Sequence, residues 1–448
     1  MGLFDRLGGG ADSRVAFLGI DGVPYRLIAD HPEVFENLHA IASEGTGGMI
    51  DSIVPPESSA CWPALTTGTN PGKTGVYGFQ DREMGSYDTY IPMGNHVRSE
   101  RLWDRVTDDG RDASVFNVPV TFPPSKRIQR QVSGFLSPSV EEAASSSELR
   151  DTLATFDYRI DADAELGHAE NKEAFIENAH ETLEARQDAF RHYVDEDDWD
   201  LFFGVYMTTD RVNHFLFGEY ATDGRYAEAF LEFYRTLDEY IGEIRKRLDD
   251  DTTLVVASDH GFTRLQYEVN CNRWLLENDW LAYTSDDHGA LDDIDDDTRA
   301  YSLIPGRFFL NRQGREPRGS VPASDYDDVR EELIDDLETL TGPDGRRVCR
   351  RIVKGEDAFD GEHTEIAPDL VVIPADGYDL KSAFTPKEEV FSESPRNGMH
   401  TFENACLFST SDELDVEGAD LLDVTPTILD LLDVETDRTQ LDGESLIG

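Results

Sequence analysis

The sequence predicts an α/β protein with a mostly parallel central sheet. Unbroken apolar runs at 15–20, 200–206 and 253–257 are typical of strands that are covered on both faces. Segments with helical periodicity lie between them, and those at 171–193 and 227–248 are the longest. Because strands alternate with helices along the chain, neighbouring strands are expected to run parallel and to be joined by helical crossovers.

The other elements continue this alternation. In chain order they are predicted as a helix at 35–43, a strand at 48–54, a helix at 102–106, a strand at 113–118, a helix at 327–340, strands at 367–373 and 405–408, and a helix at 423–432. The last of these has Pro426 near its first turn, where proline is tolerated because the backbone N–H groups there lack helical partners.

The pattern divides the chain into a core and an insertion. Residues 1–13 are expected to be an N-terminal lead-in, and 14–264 together with 366–448 to form the core. The periodicity weakens at about 120–170, which is predicted to be an excursion from the core. Residues 265–365 are acidic and rich in turn signals, and they are predicted to form an inserted cap lobe.

The composition limits the partners that the surface can attract. In 448 residues, 92 acidic side chains against 40 basic ones give a formal charge of −52, so nucleic acid and anionic membranes would be repelled. Only seven of the basic residues are lysines, and an acidic, lysine-poor chain suits a high-salt cytoplasm in which ions screen the self-repulsion. Intrinsic disorder is a weak alternative because 39% of the residues are hydrophobic.

Cysteine usage and hydropathy favour a cytoplasmic protein. The four cysteines are scattered without a CxxC pair, which is typical of thiols in a reducing compartment. No apolar run reaches 18 residues and the first residues lack a signal-peptide pattern, so no membrane segment is predicted. The sequence leaves the oligomeric state open.

Carboxylates and imidazoles lie at the ends of several predicted strands. Asp21, Asp210 with His214, and Asp259 with His260 follow predicted strands, and His400 lies in a loop before a further strand. Asp210 and His214 are four residues apart, so one helical turn would place both on the same face. The carboxyl ends of parallel strands meet at one edge of a sheet, where open α/β sheets place their ligands. Oxygen and imidazole donors of this kind suit Zn²⁺, with Mn²⁺ as the alternative.

Each of these residues also has an ordinary interpretation. Asp21-Gly22 is a turn signal, and Asp210 with His214 would suit a surface pair on a helix. The pair Asp259-His260 is harder to explain in this way, because adjacent ionisable residues directly after a buried strand are costly to bury.

The stretch 53–75 contains a hydroxyl at the start of a helix. Two prolines precede Ser58 and Ser59, and a short helical pattern then runs to Gly68. A hydroxyl in this place meets unpaired backbone N–H groups and the positive end of the helix dipole. The position therefore suits an N-cap, and equally a nucleophile that handles an anion; Ser59 is the adjacent alternative.

Several motifs occur in the order of a known family. They are Gly19-Ile20-Asp21-Gly22, Pro55-Pro56-Glu57-Ser58, Trp62, Thr67-Gly68-Thr69-Asn70-Pro71-Gly72-Lys73, Asp210 with His214, Ser258-Asp259-His260-Gly261, Gly398-Met399-His400 and Asp423-Val424-Thr425-Pro426-Thr427-Ile428-Leu429. Together they resemble the alkaline phosphatase superfamily, specifically its type I phosphodiesterase/nucleotide pyrophosphatase branch. The resemblance covers about 14–448 without the middle lobe, and it implies a three-layer α/β/α sandwich around the central sheet.

The resemblance implies an enzyme with two divalent metal ions, most simply Zn²⁺. It assigns one ion to Asp210, His214 and His400, and the other to Asp21, Asp259 and His260 with the Ser58 hydroxyl. Ser58 would be the nucleophile that attacks a small-molecule phosphodiester or pyrophosphate and forms a phospho-serine or nucleotidyl-serine intermediate. Two divalent ions against three carboxylates leave a net charge of about +1, which would attract an anionic phosphoester.

Two departures from the family pattern concern the substrate. The nucleotide pyrophosphatases have a phosphate-contacting Asn at the position of Phe79, and a His is common at the position of Thr74. A phosphomonoesterase or phosphomutase is therefore the alternative within the superfamily. A sulfatase is disfavoured because Trp62 and Leu65 stand where its Cys/Ser-x-Pro/Ala-x-Arg motif needs arginine. The alternative outside enzymes is an acidic protein that collects cations.

Overall fold

A computed structural model of the chain describes residues 13–196 and 198–448. The strands are β1 (Arg14–Ile20), β2 (Thr46–Ile50), β3 (Asp81–Arg82), β4 (Thr89–Tyr90), β5 (Ala113–Val118), β6 (Arg130–Ser133), β7 (Leu201–Tyr206), β8 (Thr252–Ala257), β9 (Gly261–Arg264), β10 (Tyr267–Asn270), β11 (Ala300–Leu303), β12 (Arg307–Leu310), β13 (Cys349–Lys354), β14 (Leu370–Pro374), β15 (Tyr378–Lys381), β16 (Phe391–Ser392), β17 (Gly398–Thr401) and β18 (Ala405–Ser409). The helices are α1 (Tyr25–Asp30), α2 (Glu36–Glu44), α3 (Ser58–Thr67), α4 (Pro71–Thr74), α5 (Leu102–Asp108), α6 (Val140–Ala143), α7 (Ser147–Ala154), α8 (Ala164–Gly167), α9 (Glu173–Asp195), α10 (Thr208–Ala221), α11 (Ala227–Arg245), α12 (Cys271–Glu277), α13 (Tyr326–Thr339), α14 (Gly355–Ala358) and α15 (Val424–Leu431). The predicted lead-in, 1–13, lies outside the described residues except for Ser13.

The central sheet is mostly parallel. Within the described chain its order is β2-β18-β8-β1-β7-β5-β6. β1 pairs in parallel with β7 and β8, and β5 pairs in parallel with β7 and β6. β18 runs antiparallel to both of its neighbours, β2 and β8. The predicted fold class is therefore confirmed, with one strand reversed.

β1 shows why the sheet lies between two layers of helices. Ala16 and Leu18 pack into an apolar layer with residues of α2, α9, α10 and α11. Val15 and Phe17 pack into a second layer with residues of α3, α5 and α15. Since successive side chains of a strand point to opposite faces, an unbroken apolar run needs cover on both sides. The result is the three-layer α/β/α sandwich that the family resemblance implied.

Strands β10 to β16 form two smaller sheets. We call these sheets, together with α12, α13 and α14, the cap. β11, β12, β14 and β13 make a four-stranded sheet, and β15, β10 and β16 a three-stranded one. The run 367–373, which was expected in the core, forms β14 of the cap instead, where it pairs with β12 and β13. Leu370 of β14 packs with Leu333 of α13 in the apolar centre of the cap. An apolar run indicates burial but does not indicate which sheet buries it.

The predicted excursion at 120–170 contributes to the core. β6 lies in this range and pairs in parallel with β5 at the edge of the central sheet. Leu149 and Leu153 of α7 pack into the apolar layer that covers one face of that sheet. None of the described helices combines the length and apolar character that crossing a membrane requires.

Candidate active site

The parallel strands bring the predicted carboxylates to one edge of the sheet. Asp21 follows β1 directly, Asp259 follows β8 by one residue, and Asp210 lies in the first turn of α10 after β7. Because β8, β1 and β7 are adjacent and parallel, their carboxyl ends meet at this edge. His400 lies on β17, whose pairing with β9 places it opposite Phe262. The fold thus brings together residues that lie up to 379 positions apart.

Ser58 begins helix α3 beside these groups. Pro55 and Pro56 precede the helix, and Gly68 ends it in the left-handed conformation with φ of 65°. The Ser58 hydroxyl is buried, donates to Asp21 Oδ1 at 3.2 Å, and lies 3.1 Å from His260 Nε2. Glu57, not Ser58, occupies the N-cap position, so the N-cap interpretation of Ser58 is wrong.

The first group consists of Asp21, Asp259 and His260, and all three are fully buried. His260 Nε2 lies 3.7 Å from Asp21 Oδ1 and 3.5 Å from Asp259 Oδ2. Gly22 turns the chain here with φ of 66°, and its N–H donates to Asp259 Oδ1 at 3.0 Å. Trp62 Nε1 donates to Asp21 Oδ2 at 2.6 Å. Neighbouring donors therefore hold both carboxylates with an oxygen toward His260.

The charges of this first group are poorly balanced. Burial, followed by the charge of Asp259, raises the pKa of Asp21 well above its usual value. Burial likewise raises the pKa of Asp259 to about 7, and it lowers the pKa of His260 well below its usual value. The imidazole is thus held in the neutral form, which leaves a lone pair on Nε2 and no positive charge for the carboxylates.

The second group consists of Asp210, His214 and His400. Asp210 Oδ1 lies 3.5 Å from His214 Nε2 and 3.3 Å from His400 Nε2, and the two Nε2 atoms are 3.1 Å apart. His214 Nδ1 lies 3.1 Å from the carbonyl oxygen of Gly398, which turns Nε2 toward Asp210. Burial lowers the pKa of His214 to about 3, and the positive charges of His400 and Arg396 add to this.

The donor atoms of both groups fit divalent cations. One set that could hold an ion is Asp21, Asp259 and His260, and another is Asp210, His260 and His400, so His260 lies within reach of both. Among the described residues, Asp210 Oδ1 and Asp259 Oδ2 are buried and accept no hydrogen bond. Buried carboxylate oxygens without partners are expensive unless a cation faces them. Carboxylate and imidazole donors in this number are those that Zn²⁺ and Mn²⁺ take.

A cavity of about 270 Å³ opens over this floor. Its lining includes Ser58, Asp210, His214 and His400, and the further residues Glu57, Phe79, Phe135, Met207, Arg211, Ile304, Pro305, Asp379, Lys381 and Arg396. Arg211 stacks over Phe135 with 4.6 Å to the ring centroid, while its Nε donates to Asp161 at 2.8 Å. Of the further residues, only Phe79 was singled out from sequence. Arg211 could have been predicted to lie near the site because it follows Asp210 directly in the sequence, whereas nothing in the sequence indicated that residues of the cap line the cavity.

This cluster lies at the carboxyl edge of the sheet, where the resemblance to the alkaline phosphatase superfamily implies the active site of a phosphoester hydrolase. In sequence, the profile of the type I phosphodiesterase/nucleotide pyrophosphatase family matches residues 15–403. The chain belongs to that family, and it is an enzyme of the class that acts on phosphoesters. Among curated proteins, none matches the sequence significantly.

Solved structures of two other proteins share the fold. Murine ectonucleotide pyrophosphatase/phosphodiesterase 5, solved as an inactive variant in complex with AMP, is 12% identical with a TM-score of 0.57, covering 97% of this chain and 100% of its own. Phosphonoacetate hydrolase from Sinorhizobium meliloti 1021, solved in complex with phosphonoacetate, is 13% identical with a TM-score of 0.60, covering 95% of this chain and 97% of its own. At these identities the likeness establishes the fold.

Proposed function

We propose that the protein hydrolyses a phosphodiester or pyrophosphate bond of a small molecule, with Ser58 as the nucleophile and two divalent metal ions. The position of Ser58 supports this most strongly, because its hydroxyl lies at a helix N-terminus, contacts Asp21 and His260 of the first donor group, and lines the same cavity as the second group. A cavity of about 270 Å³ lies near the lower end of the size of small-molecule sites. The AMP bound by the murine neighbour is a ligand of that kind.

The two ions would be held by the two donor groups. Asp210, His214 and His400 would hold one, and Asp21, Asp259, His260 and the Ser58 hydroxyl the other. We favour Zn²⁺, with Mn²⁺ as the alternative, because imidazole nitrogen and carboxylate oxygen are mixed in both groups. When bound, the ions would supply Lewis acidity that stabilises negative charge on the phosphoryl oxygens.

The side chains around Ser58 orient its attack. The hydrogen bond to Asp21 Oδ1 holds the hydroxyl proton at that atom and leaves an oxygen lone pair for phosphorus. The positive end of α3 faces the phosphoryl group, which favours the negative charge that develops there. In the first step the Oγ–P bond forms while the bond from phosphorus to the leaving oxygen breaks, and the hydroxyl proton passes, by way of Asp21 or solvent, to the leaving oxygen. Water then breaks the Oγ–P bond and restores the serine.

The nucleophile is tested by a matched pair of serine variants. Ser58→Ala is expected to lower turnover of bis-(p-nitrophenyl) phosphate by at least about 10³-fold and to keep most of the metal content, because the carboxylates and imidazoles remain. Ser59→Ala is the control, since Ser59 is outside the lining of the cavity. Both variants are compared with the wild type by rate assays and by metal analysis of the same samples.

Near-full activity of Ser58→Ala would contradict this assignment, and loss of activity in Ser59→Ala alone would transfer it to Ser59. Comparison with p-nitrophenyl phosphate distinguishes the reactions. A faster rate on the monoester would favour the phosphomonoesterase or phosphomutase alternative. That alternative stays open because Phe79 lines the cavity at the position where the nucleotide pyrophosphatases have a phosphate-contacting Asn.

We also propose that the protein works in a salt-rich, reducing cytoplasm. The formal charge of −52 supports the first part, and the free thiols of all four cysteines support the second. Added KCl screens repulsion between surface carboxylates, so we expect the melting temperature to rise as KCl is increased toward the molar range. Thermal melts across that range test this; equal stability in dilute buffer would contradict the high-salt proposal.

A further inference from the structure

One wall of the cavity, formed by the cap and by the loop that follows it, carries two cations. Lys381 is the last residue of β15, and Arg396 lies in the loop that leads to β17 and His400. Both line the same cavity as Ser58, and both are about three-quarters buried, with side-chain exposures of 23% and 26%. In a chain with a net charge of −52 and seven lysines, basic groups on the inner wall of a reaction cavity are conspicuous.

Asp379 holds these two cations together. Lys381 Nζ lies 2.5 Å from Asp379 Oδ2, and Arg396 Nη2 lies 3.8 Å from the same oxygen. Burial opposes the charged form of Asp379, but Lys381 and Arg396 outweigh it and lower its pKa to about 2. Arg396 is also anchored by Glu268, 2.5 Å from its Nη2. Acidic neighbours thus fix the positions of both basic groups, which is the preorganisation that a binding site needs.

The reacting phosphoryl group does not need these cations. Its oxygens would face the two donor groups on the floor, where bound divalent ions outweigh the three carboxylates. Lys381 and Arg396 line the same cavity from another side, and in the proposed arrangement they would face the part of the substrate that extends beyond phosphorus. An ammonium has three donors and a guanidinium five, so each keeps N–H groups after bonding to Asp379 or Glu268.

We propose that Lys381 and Arg396 bind a second anionic group of the substrate, so that the natural substrate is a phosphoester with a carboxylate or another phosphate in its leaving portion. This inference rests on the proposed function, because it assigns the phosphoryl group to the floor of the cavity. Charge-assisted hydrogen bonds in a partly buried site are stronger than neutral ones, so the second anion would contribute both affinity and orientation.

The test measures binding of three phosphonates that are not hydrolysed and have similar lengths. Propylphosphonate has no second charge, 3-phosphonopropionate adds a carboxylate, and 1,3-propylenediphosphonate adds a second phosphonate. Calorimetry on the metal-loaded full chain, at one KCl concentration, is expected to show at least about tenfold tighter binding of one or both of the doubly anionic ligands. Which of the two binds more tightly distinguishes a carboxylate from a phosphate as the natural group.

Variants assign the preference to the two residues. Lys381→Met and Arg396→Met are each expected to reduce the affinity ratio by about threefold or more, and the double variant to bring it close to one. The conservative variants Lys381→Arg and Arg396→Lys should restore much of the ratio, which a purely structural role would not predict. Lys387→Met is the matched control, since Lys387 is an exposed cap lysine that lines a separate surface pocket.

The outcomes separate this inference from the proposed function. A wild type that hydrolyses phosphoesters but binds all three phosphonates equally would overturn the inference alone. A preference that survives in the double variant would overturn it as well. A protein that neither hydrolyses phosphoesters nor binds any of the three phosphonates would overturn both.

Discussion

Two buried groups of carboxylates differ in how the protein balances their charge. At the candidate active site, the carboxylates of Asp21 and Asp259 face each other and a neutral histidine, whereas Asp210 lies between Arg211 and His400, 3.3 Å from the imidazole Nε2. The other cluster, which we call the hairpin group, lies where the β3–β4 hairpin meets the cap. There Asp81 pairs with Arg307, Glu316 pairs with Arg82 at 3.3 Å and Arg315 at 2.7 Å, and Asp369 pairs with Arg315 at 2.7 Å.

The difference shows that burial alone does not identify a functional carboxylate. In the hairpin group each carboxylate meets a guanidinium from the protein itself, and among the described residues the buried atoms left there without a hydrogen-bond partner are Nε and Nη1 of Arg82 rather than carboxylate oxygens. In the active-site group of the described chain, the buried Oδ2 of Asp259 has no hydrogen-bond donor, and the buried Oδ1 of Asp210 faces only the imidazoles of His214 and His400. Where the protein does not supply the counter-charge, a cation from outside is needed. The hairpin group is therefore structural, and the active-site group is suited to metal ions.

The largest expected effect is at Asp259. Asp259→Asn keeps the acceptor for the Gly22 N–H but removes a negative charge from the donor group. We expect turnover to fall by at least about 10³-fold, about 4 kcal/mol in the barrier, and one metal ion to be lost. Rate assays and metal analysis measure both. The metal-free variant should melt above the metal-free wild type at pH 8, since a buried charge is gone; a lower melting temperature would contradict the comparison.

The same kind of substitution in the hairpin group should act in the opposite direction. Glu316→Gln leaves the guanidinium groups of Arg82 and Arg315 buried with less counter-charge, so we expect the free energy of unfolding to fall by about 3 kcal/mol. Metal content should stay at the wild-type level. Denaturant unfolding with metal analysis checks this, and Glu332→Gln, at a half-exposed cap position paired with Arg299, is the control. Loss of metal from Glu316→Gln would show that the two groups are coupled.

Removal of metal should have the smallest effect of the three. At ion concentrations about tenfold above Kd, each bound ion contributes about 1.4 kcal/mol, so chelation of both is expected to lower the free energy of unfolding by about 2–3 kcal/mol. The stability of the metal-free protein is also expected to depend on pH. Burial raises the pKa of Asp259 to about 7 in the folded protein, above its unfolded value. The stability that its protonated carboxyl contributes to the folded state is therefore present at acidic pH and lost as pH rises through 7.

The metal-free protein should therefore be less stable at pH 8 than at pH 5.5, and addition of Zn²⁺ or Mn²⁺ at pH 8 should restore the stability. Thermal melts with and without chelator at the two pH values measure this. A chelated protein with an unchanged melt at pH 8 would show that the carboxylates of the active-site group do not need a cation.

Much of the site could be predicted from strand ends. Asp21, Asp210 and Asp259 each follow an apolar run, and parallel strands place such positions at the same edge. His400 could be placed there only through the family resemblance, because β17 is outside the central sheet and pairs with β9 instead. The roles of all these residues, and of Ser58, stay predictions until variants are measured.

The cap wall could not be predicted in the same way. Lys381 and Arg396 lie in segments with ordinary polar patterns, and they reach the cavity because β15 pairs with β10 and because the loop after β16 leads to β17. The position of β14 was mistaken for a related reason. Its apolar run indicated a buried strand, but both the central sheet and the cap bury strands, and long-range pairing decided between them.

By itself the sequence determined the α/β class, the positions of the strand-end carboxylates and the acidic surface, because periodicity, strand ends and net charge are local or additive properties. Only the tertiary structure decided which carboxylates meet a guanidinium and which are left with unpartnered oxygens, and which cations line the cavity with Ser58. Those facts depend on contacts between segments far apart in the chain, and a linear pattern does not record them.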